Sequence, residues 1–364
     1  MWQVLDFKSG KTMKLKFLSL LVAFITCYLG EVNAQASRGG DFDFAVQVVE
    51  NDYAGYSSKV TDKNRAEYEK LKLSLREAIS KGKNEDNCVG RYISWFNDAH
   101  LRYPTSGVSK GKSYKYTSDM IAKKVDAHTF MIRVSDFDAE KKPVIIDMVE
   151  QYKKSGCENL IIDVRSNGGG EDSTFDSLLA LIYTHKGVVD GVEWLSTKNN
   201  INSFKNIVSK IDNEKVRKYY NRICERLELH VGEFVDNSQS TQEITCNEIS
   251  DFPRKVAIVI DGNVASSGEQ FVLNAKACSD KVTVYGKDNT MGVLDFSNVV
   301  PVNLPNSKMT LYYPISRSKR LPDRGIDETG IAPDVRITLP NPKTVGTEID
   351  PWIAWISNDL MRNL

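Results

Sequence analysis

The feature that most constrains this chain is a pattern that occurs twice: an unbroken apolar run, a turn, and then a helix with one apolar face. In the first copy Leu160-Ile161-Ile162-Asp163-Val164 runs into Arg165-Ser166-Asn167-Gly168-Gly169-Gly170, and a helix follows with Leu178, Leu179, Leu181 and Ile182 on its apolar side. In the second, residues 256–260 pass through Asp261-Gly262-Asn263 into a helix that turns Phe271, Val272, Ala275 and Cys278 inward. Strands that are apolar throughout need cover on both faces, and helices on both sides of a sheet supply it. Strands at 130–134, 282–285, 309–313 and 335–337, with helices at 143–154 and 352–360, extend the same rhythm. The expected fold class is therefore α/β, a twisted sheet with helices on its faces.

Two regions depart from that rhythm. Tyr68, Leu71, Leu75 and Ile79 recur at helical spacing within 62–81, with Gly82 as a stop, and a shorter helix is expected over 89–96. This gives an N-terminal helical lobe over 35–105 that leads into Asn97-Asp98-Ala99-His100. Residues 190–250 form a lysine-rich, mostly helical insertion with Val216, Tyr219, Tyr220, Ile223 and Leu227 on one face. The core is expected over 106–345, with a C-terminal helix in 346–364. At the start of the chain, Lys14 and Lys16 precede an apolar run, 17–29, that is too short to span a bilayer and ends in Val32-Asn33-Ala34. Residues 1–34 read as a signal peptide cleaved after Ala34, with Met13 as an alternative start and no membrane span in the mature chain. Anchoring as a lipoprotein through Cys27 is the weaker alternative, because Ile25-Thr26 is a poor match to the small residues such a site needs.

Lys and Arg balance Asp and Glu to a net charge of zero over 364 residues, so no long-range field draws the chain to nucleic acid or an anionic membrane. A peptide or small neutral substrate suits it better. Past residue 34 the cysteines are Cys88, Cys157, Cys224, Cys246 and Cys278, an odd set without the spacing of a disulfide scaffold or zinc site. Cys224 with Cys246 is the one pair placed to bridge, and the others read as small buried hydrophobes. With no H-E-x-x-H and no C-x-x-C, neither a metal nor a cofactor is expected.

The strand that breaks at Gly262 enters its helix at Val264-Ala265-Ser266-Ser267-Gly268-Glu269. Such a junction presents a side chain and backbone N–H groups together, as a nucleophilic serine requires. Ser266 is then either a nucleophile or an ordinary helix N-cap. As a nucleophile it would use the N–H of Ser267 to hold an oxyanion, a contribution of about 3 kcal/mol per donor. The loop Gly168, Gly169, Gly170 could supply the second donor, and it lacks the spacing of a phosphate cradle. A general base is needed, and the histidines are His100, His128, His185 and His230. His185 ends a helix and His230 lies in the charged insertion, where solvated roles are the norm. His100 and His128 each follow Asp-Ala, and the loop setting of His100 favours it.

Taken in order, IIDVRSNGGG at 161–170, VASSGEQF at 264–271 and DETGIAPDV at 327–335, with an earlier DAH at 98–100, resemble the tail-specific and carboxyl-terminal processing serine peptidases. The similarity spans about 95–340 and is strongest to tricorn-like members of secreted bacterial type. It implies a crotonase-like (ClpP/crotonase) core and Ser266 as nucleophile, while the PDZ module common in such relatives is not expected, because the stretch between His100 and Leu160 already reads as a strand-helix-strand unit of the core. One branch of that family takes its base from a lysine in a T-x-G-K-like stretch, but Asn289-Thr290-Met291-Gly292-Val293 has valine there. The other branch uses a histidine, which assigns His100, although Ala99 stands where those relatives carry serine. Asp327 or Glu328 would be the acid that orders the site. The resemblance implies an exported serine peptidase of the bacterial periplasm or exterior that cleaves a peptide or unfolded protein through an acyl-enzyme. Two alternatives stand beside it: a degenerate member that binds a peptide or small apolar ligand, and a crotonase-type acyl-CoA enzyme, disfavoured by export and by the lack of a basic cluster.

Overall fold

The structure, a computed structural model, describes residues 3–6, 12–15, 39–107, 115–116, 119–236, 241–346 and 348–362. The apolar run 17–29, Cys27 and the cleavage position at Ala34 lie outside the described residues.

The apolar runs form a six-stranded sheet in the order Val335–Arg336, Val282–Gly286, Lys255–Ile260, Asn159–Asp163, Thr129–Arg133, Ile121–Lys124. All neighbours are parallel except the last pair. Asn159–Asp163 and Lys255–Ile260 lie side by side at the centre, with Ile161 opposite Ala257, and this is why both read as buried throughout. Alternate residues serve opposite faces. Leu160, Ile162, Val256, Ile258 and Ile260 pack under the helices Lys142–Ser155, Asp176–Ile182 and Ser267–Cys278. Ile161, Ala257 and Val259 pack under Trp352, Ile353 and Ile356 of the C-terminal helix Pro351–Arg362.

At the end of Asn159–Asp163 the chain buries a cation. Arg165 donates to Asp163 at 2.8 Å and to Asp350 at 2.6 Å, and Arg133 reaches Asp163 at 3.2 Å. Burial alone would raise the Asp163 carboxyl, but the Arg165 and Arg133 guanidinium groups hold it below the usual carboxylate range. The network pins the start of the glycine loop to the C-terminal helix.

A second, four-stranded antiparallel sheet runs Phe296–Asn303, Thr310–Ser318, Val192–Leu195, Phe234–Asp236. The region 190–250 is thus more than helical: its helices Lys198–Ser209 and Glu214–Leu229 lie between two strands that complete this sheet. Its apolar face, with Phe204, Tyr220, Ile223 and Leu227, shares one core with Phe42, Tyr68 and Tyr92 of the N-terminal helices Gly40–Asp52, Arg65–Ser80 and Glu85–Trp95. A polar joint ties the two regions together. The Asp52 carboxylate accepts from Thr197 Oγ1 at 2.5 Å and Asn199 Nδ2 at 2.8 Å. The helical lobe therefore docks on the second sheet and the insertion rather than on the parallel sheet.

The expected Cys224–Cys246 bridge is absent, and both thiols are free. Cys224 points into the core under the helical lobe, whereas Cys246 packs against the cluster above the parallel sheet beside Cys278. Their side chains belong to different cores, and a disulfide needs Cβ atoms about 4 Å apart.

Candidate active site

The two strand-turn-helix units end on the same edge of the sheet, and their turns interlock. The Asp261 carboxylate accepts from Ser166 N and Asn263 N at 3.0 Å each, while Ala265 N donates to the Asn167 carbonyl at 3.0 Å. Asn167 in turn donates through Nδ2 to the Val134 carbonyl at 3.2 Å. The loops after three neighbouring parallel strands are thereby fixed to one another.

Ser266 stands at the head of the helix Ser267–Cys278 with φ 54° and ψ −124°. An ordinary N-cap has extended backbone with negative φ. A strained, positive-φ residue between a buried strand and a helix is instead the geometry that exposes a nucleophile. Gly169 explains how this is tolerated. At φ +110° it lies so close that a Cβ there would fall 2.7 Å from Ser266 Cβ and 3.0 Å from Ser267 N. The turn is held by Glu269, whose buried carboxylate accepts from Thr290 Oγ1 at 2.5 Å, Gly292 N and Val293 N at 2.8 Å each, and Ser266 N at 3.3 Å. Burial raises the Glu269 carboxyl despite these four donors. The contact with Ser266 N is the capping box that Ser266-x-x-Glu269 encodes locally, whereas the other three partners lie more than twenty residues downstream and leave no mark in the local sequence.

The backbone donors sort themselves by occupancy. Gly169 N donates to Asn167 Oδ1 at 2.9 Å and is spent. The N–H groups of Ser267, Gly168 and Gly170 have no acceptor among the described residues. Gly170 lines the same cleft as Ser266 and Ser267, and the Ser267 hydroxyl donates to the Gly170 carbonyl at 2.9 Å. Trp194, Gln242, Ser297, Asn298 and Arg320 complete much of the wall, so the cleft is mostly polar.

His100 is placed from the other side. Its backbone N–H donates to Asp98 Oδ1 at 2.8 Å, and Asp98 Oδ2 accepts from the buried Tyr53 hydroxyl at 2.6 Å. His100 Nδ1 lies 2.6 Å from the Phe296 carbonyl oxygen, which can only accept. Nδ1 therefore carries the proton and Nε2 the lone pair. Burial lowers the imidazole pKa, opposed by Asp98 and the Phe296 carbonyl. No hydrogen bond joins His100 to Ser266 among the described residues, and His100 is not part of the cleft wall.

The two acids separate. Asp327 Oδ1 accepts from Leu294 N at 2.8 Å and Asp295 N at 2.7 Å. Burial, then the charge of Asp98, pushes its carboxyl up to about 7. Glu328 faces solvent and pairs with Lys59 at 3.1 Å. Asp327 thus lies close enough to Asp98 for their charges to repel, and its hydrogen bonds hold the backbone just before Phe296, whose carbonyl meets His100, whereas Glu328 turns to Lys59.

The remaining expectations fall out of place. His128 is exposed where Thr129–Arg133 begins, and because that strand is parallel to Asn159–Asp163, it sits at the opposite end of the sheet from the glycine loop. Five strand residues separate those ends, about 16 Å. His185 and His230 are surface residues beside Asp280 and Glu233. Val293 is buried and receives the Ser266 N–H on its carbonyl at 3.0 Å, and no lysine lines the cleft among the described residues. No group of three or more His, Cys, Asp or Glu suited to a metal exists among the described residues.

A glycine loop beside a strained serine with free N–H groups is the apparatus of a serine-type peptidase. The chain belongs to peptidase family S41, the family of tail-specific and carboxyl-terminal processing peptidases, whose model matches residues 128–337. Among solved structures it is similar to a candidate peptidase from Parabacteroides merdae ATCC 43184, at 16% identity and TM-score 0.56, covering 84% of this chain and 91% of that one. It is also similar to mature CPAF in complex with lactacystin, at 10% identity and TM-score 0.59, covering 81% and 92%. At these identities the likeness is one of fold. No curated protein matches the chain significantly.

Proposed function

We propose that this peptidase is exported and cleaves peptide bonds through an acyl-enzyme on Ser266. The observation that carries the assignment is the Ser266 backbone, φ 54° and ψ −124°, which an N-cap does not need and a nucleophile elbow does. The six-stranded sheet is the crotonase-like core, and the insertion contributes Trp194 and Gln242 to the cleft wall. In the reaction, His100 Nε2 takes the Ser266 hydroxyl proton as Oγ attacks the peptide carbonyl. The Nδ1–H bond to the Phe296 carbonyl supports this tautomer. The oxyanion falls to Ser267 N–H and a second donor from the glycine loop, where Gly168 and Gly170 remain available and Gly169 does not. His100 then gives its proton to the leaving amine, and water releases the acyl group.

Asp327, rather than Glu328, is the acid that orders the site, because it holds the Leu294 and Asp295 N–H groups just before Phe296, whose carbonyl meets His100 Nδ1. Because His100 and Ser266 share no hydrogen bond here, the base reaches the serine when substrate binds, as catalytic hydrogen bonds often do. A polar cleft favours a peptide over a small apolar ligand. Mass spectrometry of protein incubated with an activated ester tests the assignment. An acyl mass on the peptide containing Ser266 is expected, and acylation elsewhere with Ser266 unmodified would refute it.

A further inference from the structure

The cleft beside Ser266 carries charge, and most of it is already matched. Asp190 receives two hydrogen bonds from the Arg324 guanidinium, at 2.9 and 3.0 Å. Arg320 donates to Asp295 at 3.1 and 3.2 Å. Asp172, two residues past Gly170, lines the same cleft with no cationic partner among the described residues. Lys142 turns instead to Asp176, at 3.6 Å, and Glu171 adds a further negative charge beside it.

The Asp172 carboxyl is also short of donors. The one donor it meets among the described residues is the Ser267 hydroxyl, which it shares with the Gly170 carbonyl, 2.9 Å from that oxygen. Burial pushes the carboxyl up to about 6, opposed by Ser267 and reinforced by Glu171, as expected of a group that lacks a counter-charge. Trp194 is a second lining residue left wanting: it is 3% exposed, and its indole N–H has no acceptor. Trp194 and Asp172 line one cleft, and an apolar wall with a carboxylate that has no cationic partner among the described residues suits an extended peptide bearing a long cationic side chain.

We infer that Asp172 sets specificity, selecting substrates with lysine or arginine next to the scissile bond. This rests on Ser266 being the nucleophile. The test uses matched peptides carrying lysine, norleucine or glutamate at each position flanking the cleaved bond, with the wild-type protein and the D172N and D172E variants. A desolvated charge pair should favour lysine over norleucine by about 10-fold or more in kcat/KM, with glutamate the poorest. D172N should bring the lysine to norleucine ratio to about one, and D172E should retain the preference. If D172N does not fold, the wild-type ratio and D172E decide. Equal or better cleavage of the norleucine peptide by wild type, or an unchanged ratio in D172N, overturns the assignment of Asp172 while leaving Ser266 standing. A wild type that cleaves none of the peptides overturns the assignment of Ser266, and this one with it.

Discussion

Glu269→Gln probes how the serine turn is held. The two carboxylate oxygens divide four donors between them: Oε1 takes Thr290 Oγ1 and Gly292 N, and Oε2 takes Val293 N and Ser266 N. An amide has one oxygen. Whichever way it is turned, its NH2 faces either Gly292 N or Val293 N, and one backbone donor is left buried without an acceptor. That costs about 1–3 kcal/mol, and the remaining bonds lose their charge assistance at about 1 kcal/mol. Ser266 N keeps its alternative acceptor, the Val293 carbonyl at 3.0 Å, so its loss is softened. The sum is on the order of 3 kcal/mol, a large share of the ~5–15 kcal/mol typical of a folded domain. Urea unfolding at pH 7 should show a lowered midpoint at unchanged slope, and acylation of Ser266 should slow because the strained turn relaxes. A loss below about 0.5 kcal/mol with acylation unaltered would refute the idea that Glu269 holds the turn.

Gly169→Ala should act at the same place by crowding: the new Cβ would lie 2.7 Å from Ser266 Cβ at φ +110°, so peptide hydrolysis should fall by about 100-fold or more, and near-normal kcat would refute it. For Asp327 the raised carboxyl makes the folded chain hold a proton that the unfolded chain loses near pH 4, so its stabilising contribution is full below about 4 and is lost as pH rises through about 7. Stability of Asp327→Asn should therefore fall less steeply than that of wild type between those values, by at most about 1.4 kcal/mol per pH unit, as read by urea titrations across the range. Because burial lowers the His100 pKa, the acid limb of kcat/KM should lie below about 6.5, and a limb above that value would exclude His100 as the base.

The parallel sheet was legible because its evidence is local. Runs such as 160–164 and 256–260 are apolar enough to demand burial on both faces, and the glycines that follow end each strand in a turn. What escaped depended on distant partners. Phe296–Asn303 carries Pro301 and two asparagines and does not read as a strand, yet it pairs with Thr310–Ser318 from Asn303 opposite Thr310 to Phe296 opposite Arg317, and sheet context overrode its propensity. Val192–Leu195 and Phe234–Asp236 are too short to announce themselves between two helices and are fixed by pairing with Thr310–Ser318 and with each other. In the site, Ser266 and the glycine loop carry their own signature, whereas Tyr53, Asp172 and, beyond its capping box, Glu269 gain meaning only from contacts made across the fold. The choice between Asp327 and Glu328 could not be read from adjacent letters. It follows from which carboxylate turns toward Leu294 and Asp295 and which toward Lys59.

The pairing of Ser266 with His100 is tested most directly by the rate of fluorophosphonate labelling. Wild type should label rapidly on Ser266, Ser266→Ala should not label, and His100→Gln should label about 100-fold more slowly or less, since an unassisted serine hydroxyl is a poor nucleophile at neutral pH. Equal labelling of wild type and Ser266→Ala would contradict the assignment of the nucleophile, and undiminished labelling of His100→Gln would contradict that of its base.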